Sequence, residues 1–108
     1  MFCMAIELLP KSFIERVSQR FKLLSEPVRL ELLNLLQLHG EMTVQELVDA
    51  SGQSQANASK HLLLMARKGI LHRRKEGLNV YYAIKDPTIQ SLCLLVCTQL
   101  RQETAVEA

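Results

Sequence analysis

Phe13, Val17, Phe21 and Leu24 stand four, four and three residues apart, with Arg16, Gln19 and Arg20 between them. That spacing predicts an amphipathic helix opening at Pro10 or Ser12. Ser25-Glu26-Pro27 restarts the chain, a capping hydroxyl ahead of a first-turn proline. Leu32, Leu33, Leu35 and Leu36 line a second helix that stops at His39-Gly40. Thr43-x-x-Glu46 is a capping box, and Val44, Leu47 and Val48 are the inner positions of a third helix ending near Ser51-Gly52. Ser54 caps a fourth helix with Ala58, Leu62, Met65 and Ala66 inside, closed by Lys68-Gly69. The pattern then changes to two strand-compatible runs, Ile70 to Lys75 and Leu78 to Ile84, joined at Glu76-Gly77. Asp86-Pro87 opens a last helix over 87–102, and the polar tail Glu103 to Ala108 is expected to fray.

This order of parts predicts a mainly α fold with a small β-hairpin: a winged helix-turn-helix of five helices and a two-stranded wing. Residues 43–69 form the helix-turn-helix and 70–84 the wing, within a single domain over 1–108. A helix thin enough for the major groove, followed by a ribbon with a cationic tip, is a DNA grip.

The buried stripe of the fourth helix leaves Gln55, Ala56, Asn57, Ser59, Lys60 and Leu63 facing out. Gln and Asn make paired hydrogen bonds to adenine edges, Ser and Lys reach bases or phosphates, and an alanine methyl suits a thymine methyl. Gln53 and Ser54 at the helix start and Arg67 near its end join this candidate DNA face, together with Arg73, Arg74, Lys75 and Asn79 on the wing. The wing cations, Arg74 among them, are expected to hold phosphates and make affinity salt-sensitive. The competing readings are an ordinary solvated helix face and a plain hairpin with a charged edge. His61 reads as a packed, hydrogen-bonded histidine. Val80 and Tyr82 are expected to face the core, with Tyr81 half exposed. Leu63 departs from the polar pattern.

The net charge of +2 hides a division. Gln53 to Lys85 carries seven bases and one acid, net +6, whereas the remainder carries six bases against ten acids, net −4. A basic block on an acidic body is a footprint for a polyanion. The 48% apolar content is generous for 108 residues and points to burial against another chain. Leu92, Cys93, Leu94, Leu95, Val96 and Cys97 make the last helix apolar almost all round. A self-complementary interface with Phe13, Val17 and the N-terminal segment would cover it, assigning 1–24 and 87–102 to dimerisation. No apolar run approaches the ~20 residues that span a bilayer. The start lacks a basic n-region and Glu7 interrupts it, so a cytoplasmic location without membrane contact is expected.

An enzyme is not expected. The chain has no Gly-rich phosphate loop and no nucleophile-base pattern, and Cys93-x-x-x-Cys97 is one residue too wide for a CxxC redox pair. The rival to DNA binding is a winged-helix module that binds protein.

Phe21-Lys22-Leu23-Leu24-Ser25-Glu26-Pro27-Val28-Arg29-Leu30 resembles the ALxDPxRLxIL opening of ArsR/SmtB-type repressors. Thr43-Val44-Gln45-Glu46-Leu47 is similar to their third-helix start. Ser54-Gln55-x-x-x-Ser59-Lys60-His61-Leu62, Lys68-Gly69-Ile70-Leu71 and Gly77-x-x-Val80-Tyr81-Tyr82 resemble their recognition helix and wing. The resemblance covers residues 13–100. It implies a homodimeric repressor whose first and last helices pair across a two-fold axis, and whose grip on DNA is released by a metal or chemical inducer. Two-fold symmetry implies a palindromic operator with half-sites ~34 Å apart.

The chain departs from the family's metal patterns. Thr43-Val44-Gln45 stands where third-helix sensors carry Cys-Val-Cys, and Asp86, Thr88, Gln99 and Gln102 do not reproduce the last-helix zinc site. What remains is Cys93 and Cys97, one helical turn apart, with Cys3 as a third candidate thiol. Three readings stay open: small hydrophobes filling a dimer core, soft ligands for a thiophilic ion such as As(III), Cd(II) or Pb(II), and a thiol switch. No cofactor is needed for the fold.

Overall fold

The computed structural model describes residues 8–107, so Cys3 lies outside the described residues. The chain runs α1 (Lys11–Leu23), α2 (Pro27–His39), β1 (Met42–Thr43), α3 (Val44–Ser51), α4 (Gln55–Arg67), β2 (Leu71–Glu76), β3 (Asn79–Ile84) and α5 (Thr88–Glu107). The five expected helices are present.

Local chemistry explains where they start and stop. Thr43 Oγ1 accepts from the Glu46 amide at 3.1 Å, while Glu46 Oε1 accepts from the Thr43 amide at 2.8 Å, so the capping box closes as expected. Gly52, at φ 75° and ψ 5°, ends α3 in the left-handed region and turns the chain toward Ser54. Ser54 Oγ accepts from the Asn57 amide at 3.1 Å and caps α4. Ser25 behaves differently from expectation. Its hydroxyl donates back to the Lys22 carbonyl at 2.7 Å and closes α1, while Glu26 precedes α2 with no side-chain cap.

Two further expectations are corrected. The wing is not a two-stranded ribbon alone: β1 pairs antiparallel with β3, giving a three-stranded sheet in the order β1-β3-β2. The last helix does not stop at Gln102, because it continues through the polar tail to Glu107. Glu103-Thr104-Ala105-Val106-Glu107 holds no glycine or proline to break the helix, and the Thr104 hydroxyl donates to the Leu100 carbonyl at 3.0 Å.

Leu32, Leu33, Leu36, Leu47, Ala58, Leu62, Met65, Ile70, Leu71, Tyr82 and Ile89 form the core where α2, α3 and α4 meet the sheet. The terminal helices share little of it. Within α1 only Leu23 is buried, while Phe13, Ile14 and Phe21 of the predicted stripe's neighbourhood are half exposed. On α5, Ile89, Leu92, Cys93, Val96 and Leu100 follow one another at helical spacing. Ile89 is fully buried and Leu92 and Cys93 pack on the core, but Val96 is 59% and Leu100 54% exposed. The apolar stripe outruns the protein beneath it. No helix among the described residues is long and apolar enough to cross a membrane.

Asp86 anchors α5. Its Oδ1 accepts from the Thr88 amide at 2.9 Å and the Thr88 hydroxyl at 2.7 Å, and its Oδ2 pairs with Arg20 of α1. Burial pushes this carboxyl up, but Thr88 and Arg20 together outweigh it and hold it below the usual 3.8. A depressed carboxylate stabilises the fold above its unfolded value, and that contribution is lost as pH falls through the lowered one. Asp86→Asn, which keeps a cap but not the charge, should therefore be less stable than wild type in urea at neutral pH. The gap should close as pH falls below about 4. Asp86→Ala should cost about 1–2 kcal/mol at neutral pH, chiefly as a lost cap.

Candidate nucleic-acid interface

Helix α4 buries Ala58, His61, Leu62 and Met65. That stripe leaves Gln55, Ala56 and Lys60 exposed, as the sequence pattern predicts, whereas Asn57, Ser59 and Leu63, expected to face out with them, are partly buried. Gln53 Oε1 accepts from Asn57 Nδ2 at 2.7 Å, so two of the predicted residues form one unit across the turn. Locked this way, the pair still offers the Gln53 amino group and the Asn57 carbonyl oxygen, a donor beside an acceptor. The first turn of α4 contains no acidic residue, so the positive end of its dipole is uncompensated. Arg67 is exposed but sits in the last turn, about 18 Å along the axis from Gln55, and is not part of this N-terminal cluster.

His61 is 5% exposed, packed and hydrogen-bonded as expected. Its Nδ1 accepts from Arg29 Nε at 3.1 Å. Burial, the Arg29 guanidinium and the Lys60 ammonium all favour the neutral ring, and they outweigh Glu26, so the imidazole titrates below its usual 6.5. Arg29 Nη1 also donates to the Leu23 carbonyl at 3.1 Å, and Glu26 lies 3.7 Å from Nη2.

On the wing, register decides which cations are available. Arg73 pairs with Tyr82 and Lys75 with Val80, whereas Arg74 pairs with Tyr81. Cross-strand partners share a face, and Tyr82 and Leu71 are buried. Arg73 and Lys75 therefore lie on the helix-covered side of the sheet, out beyond the core, where both are exposed. Among the described residues neither has an ion-pair partner.

Arg74 occupies the opposite face. Its Nε and Nη2 donate to both oxygens of Glu41, at 3.1 and 2.8 Å, and its Nη1 pairs with Glu76. The guanidinium carbon sits 4.2 Å from the Tyr81 ring centroid. Glu41 first, then Glu76, hold the guanidinium's proton more firmly than usual, and Arg74 in turn keeps the Glu41 carboxyl below the ordinary range. The sequence groups Arg74 with Arg73 and Lys75 as a phosphate contact; the structure differs in engaging its charge with Glu41 and Glu76. Arg74 braces the wing against β1. Glu41 lies 33 positions away in the chain, so no local pattern announces the pair.

The hairpin turns at Gly77, φ 61°, as a two-residue turn beginning with glycine requires. Leu78 beside it is 100% exposed, a feature the sequence pattern did not single out. Asn79 is exposed opposite Glu76. Val80 and Tyr81 are half exposed and Tyr82 buried.

Cys93 and Cys97 are free thiols, half exposed on α5. Among the described residues no three His, Cys, Asp or Glu side chains converge as a metal site. Two soft donors are one short of a three-thiolate centre.

Known proteins share this architecture. The family model described as "Bacterial regulatory protein, arsR family" matches residues 26–73. A cadmium resistance transcriptional regulatory protein CadC homolog of Staphylococcus aureus is 38% identical over 76 residues, covering 70% of this chain and 63% of the relative. The match thus spans less than two thirds of that relative's length. The crystal structure of the AntR antimony-specific transcriptional repressor superposes with a TM-score of 0.80 at 30% identity, covering 92% of this chain and 90% of the other. The solution structure of a homodimeric winged helix-turn-helix DNA-binding domain from Mycobacterium bovis gives 0.73 at 28%, covering 84% and 83%.

Proposed function

The chain belongs to the ArsR family of bacterial regulatory proteins, which are DNA-binding transcriptional regulators rather than enzymes, and we propose that it acts as a homodimeric repressor reading a palindromic operator. The observation that carries this reading is the pairing of an exposed polar face on α4 with the cations Arg73 and Lys75, unpaired among the described residues, on the helix-covered side of the sheet. Gln53, Gln55, Asn57, Ser59 and Lys60 would meet base edges, Ser54 and the first-turn amides would meet phosphate, and the wing cations would follow the backbone. Arg67, in the last turn of α4, and Asn79, which by register shares the Arg74 face of the sheet, lie outside this surface. The homodimer is supported by the bare continuation of the α5 stripe and by the Mycobacterium bovis relative.

Titration against heterogeneous DNA at two salt concentrations, followed by selection from a random-sequence pool, tests the reading. A repressor binds weakly and salt-sensitively at first, then prefers one palindrome by at least about 10³-fold. A protein-binding winged helix shows neither.

Release from DNA is proposed to act through Cys93 and Cys97. Support comes from relatives named for cadmium and antimony, both thiophilic, and from two half-exposed thiols one turn apart on the helix assigned to the dimer. A third thiolate for such an ion would come from Cys3 or from the second subunit; a two-electron oxidant would instead join two thiols as a disulfide. Cys93→Ser combined with Cys97→Ser should bind the selected duplex as tightly as wild type. It should fail to release it on addition of arsenite, cadmium ion or a disulfide-forming oxidant, whereas wild type loses affinity about 5- to 150-fold. Normal release of the double variant places the effector elsewhere.

A further inference from the structure

Helix α1 is held to its own domain by few contacts. Only Leu23 near its end is buried, and the groove beside it, about 840 Å³ between Phe13, Val17, Leu23, Leu64 and Lys68, is open. Packing therefore leaves the seating of α1 underdetermined, and directional bonds carry more of it than usual. Two exist. Arg20 pairs with Asp86 at the start of α5, and Arg29 reaches the last carbonyl of α1, that of Leu23, at 3.1 Å. The same guanidinium donates to His61 Nδ1 on α4 at 3.1 Å.

We propose that Arg29 is a positioning residue for DNA reading: its guanidinium fastens the end of α1 to His61, so that the seating of α4 follows the placement of the dimer-side helix. This rests on the reading that α4 enters the groove. The geometry of the guanidinium suits the task, because Nε and Nη1 point in fixed, divergent directions from one plane. Movement of α1 relative to the core then either stretches the bond to Leu23 or draws the bond to His61 with it. His61 lies buried in the second turn of α4, about 120° round the helix from Gln55 and one turn on from Asn57. A small rotation there moves every base-reading side chain at once.

The bond needs a neutral ring with its lone pair at Nδ1. The charged groups facing that ring are Arg29 and Glu26 at the start of α2 and Lys60 on α4 itself. Protonation at Nδ1 removes the acceptor and sets like charges against each other. The tie is thus complete above the ordinary histidine value of 6.5 and is lost as pH falls through the lowered one.

The test compares His61→Asn, whose amide oxygen occupies the place of Nδ1 and does not titrate, with His61→Leu, which has the bulk and no acceptor. Binding is measured to a duplex selected by wild type from a random pool and to heterogeneous DNA, from about pH 8 down to the lowest pH at which both proteins stay folded. His61→Leu should bind the selected duplex about tenfold more weakly at the higher pH, with heterogeneous DNA little changed, and His61→Asn should stay near wild type. Wild type should lose selected-duplex affinity on acidification and His61→Asn should not. Equal pH profiles for wild type and His61→Asn overturn the proposal, as does a folded His61→Leu that binds like wild type. If His61→Leu does not fold, the two pH profiles decide. Failure of wild type to select any duplex removes the DNA reading as well, a result distinct from these.

Discussion

Val96→Asp combined with Leu100→Asp should yield a folded monomer that no longer prefers its operator. Both side chains extend the α5 stripe that begins at buried Ile89, yet both are more than half exposed, so the substitutions leave the subunit core alone. Across a two-fold axis the pair becomes four apolar side chains removed from water. At about 1.5 kcal/mol or more for each, replacing them forfeits on the order of 6 kcal/mol of association, over 10⁴-fold in the dimer constant. A monomer presents one α4 to one half-site and keeps only part of the specific contacts. Operator affinity should fall by roughly 10³-fold, toward the level for heterogeneous DNA. Sedimentation and thermal unfolding check the two halves of the expectation: half the wild-type mass, and a cooperative transition that persists.

Arg73→Ala combined with Lys75→Ala should weaken binding to every duplex and flatten its dependence on salt. Both cations are exposed and unpaired among the described residues, on the helix side of the sheet. Each phosphate contact contributes about 0.9 to the slope of log affinity against log salt. Two lost per subunit, four per dimer, should reduce the slope by between about 3 and 4. Arg74→Ala is the informative control. Its charge already faces Glu41 and Glu76, so its removal should change the slope by less than about 1. Equal effects from the double variant and Arg74→Ala would mean that the ion pairs open on DNA and the register argument is wrong.

Much of this molecule is legible locally. Thr43 with Glu46, Ser54, Gly52 and the Gly77 turn act within a few residues, so the helix-turn-helix and the wing hairpin can be placed from the chain alone. The outward face of α4 is legible for the same reason, because a helix fixes which positions share a side. The misses are of other kinds. β1 is two residues long and carries no periodicity to detect; only its pairing with Tyr81 and Tyr82 defines it. Ser25 stands between two helices and could serve either, and the geometry of the turn gives it to α1. Arg74 and Arg73 are indistinguishable as letters. Strand alternation and an acid 33 positions away separate them, and both are tertiary facts. Arg29 was visible only as part of the family opening, and its bonds to Leu23 and His61 join segments 6 and 32 residues distant. The apolar run of the last helix is legible in the sequence, but which half of it the subunit leaves exposed, Val96 and Leu100, is a tertiary fact.

The central claim is that two subunits present two α4 helices to successive grooves of one duplex. Hydroxyl-radical footprinting of the selected duplex, with the mass of the complex determined in parallel, tests it most directly. The expected result is two chains per duplex and two protected patches on one face of the DNA, about one helical turn apart. One chain per duplex with a single protected patch would contradict it.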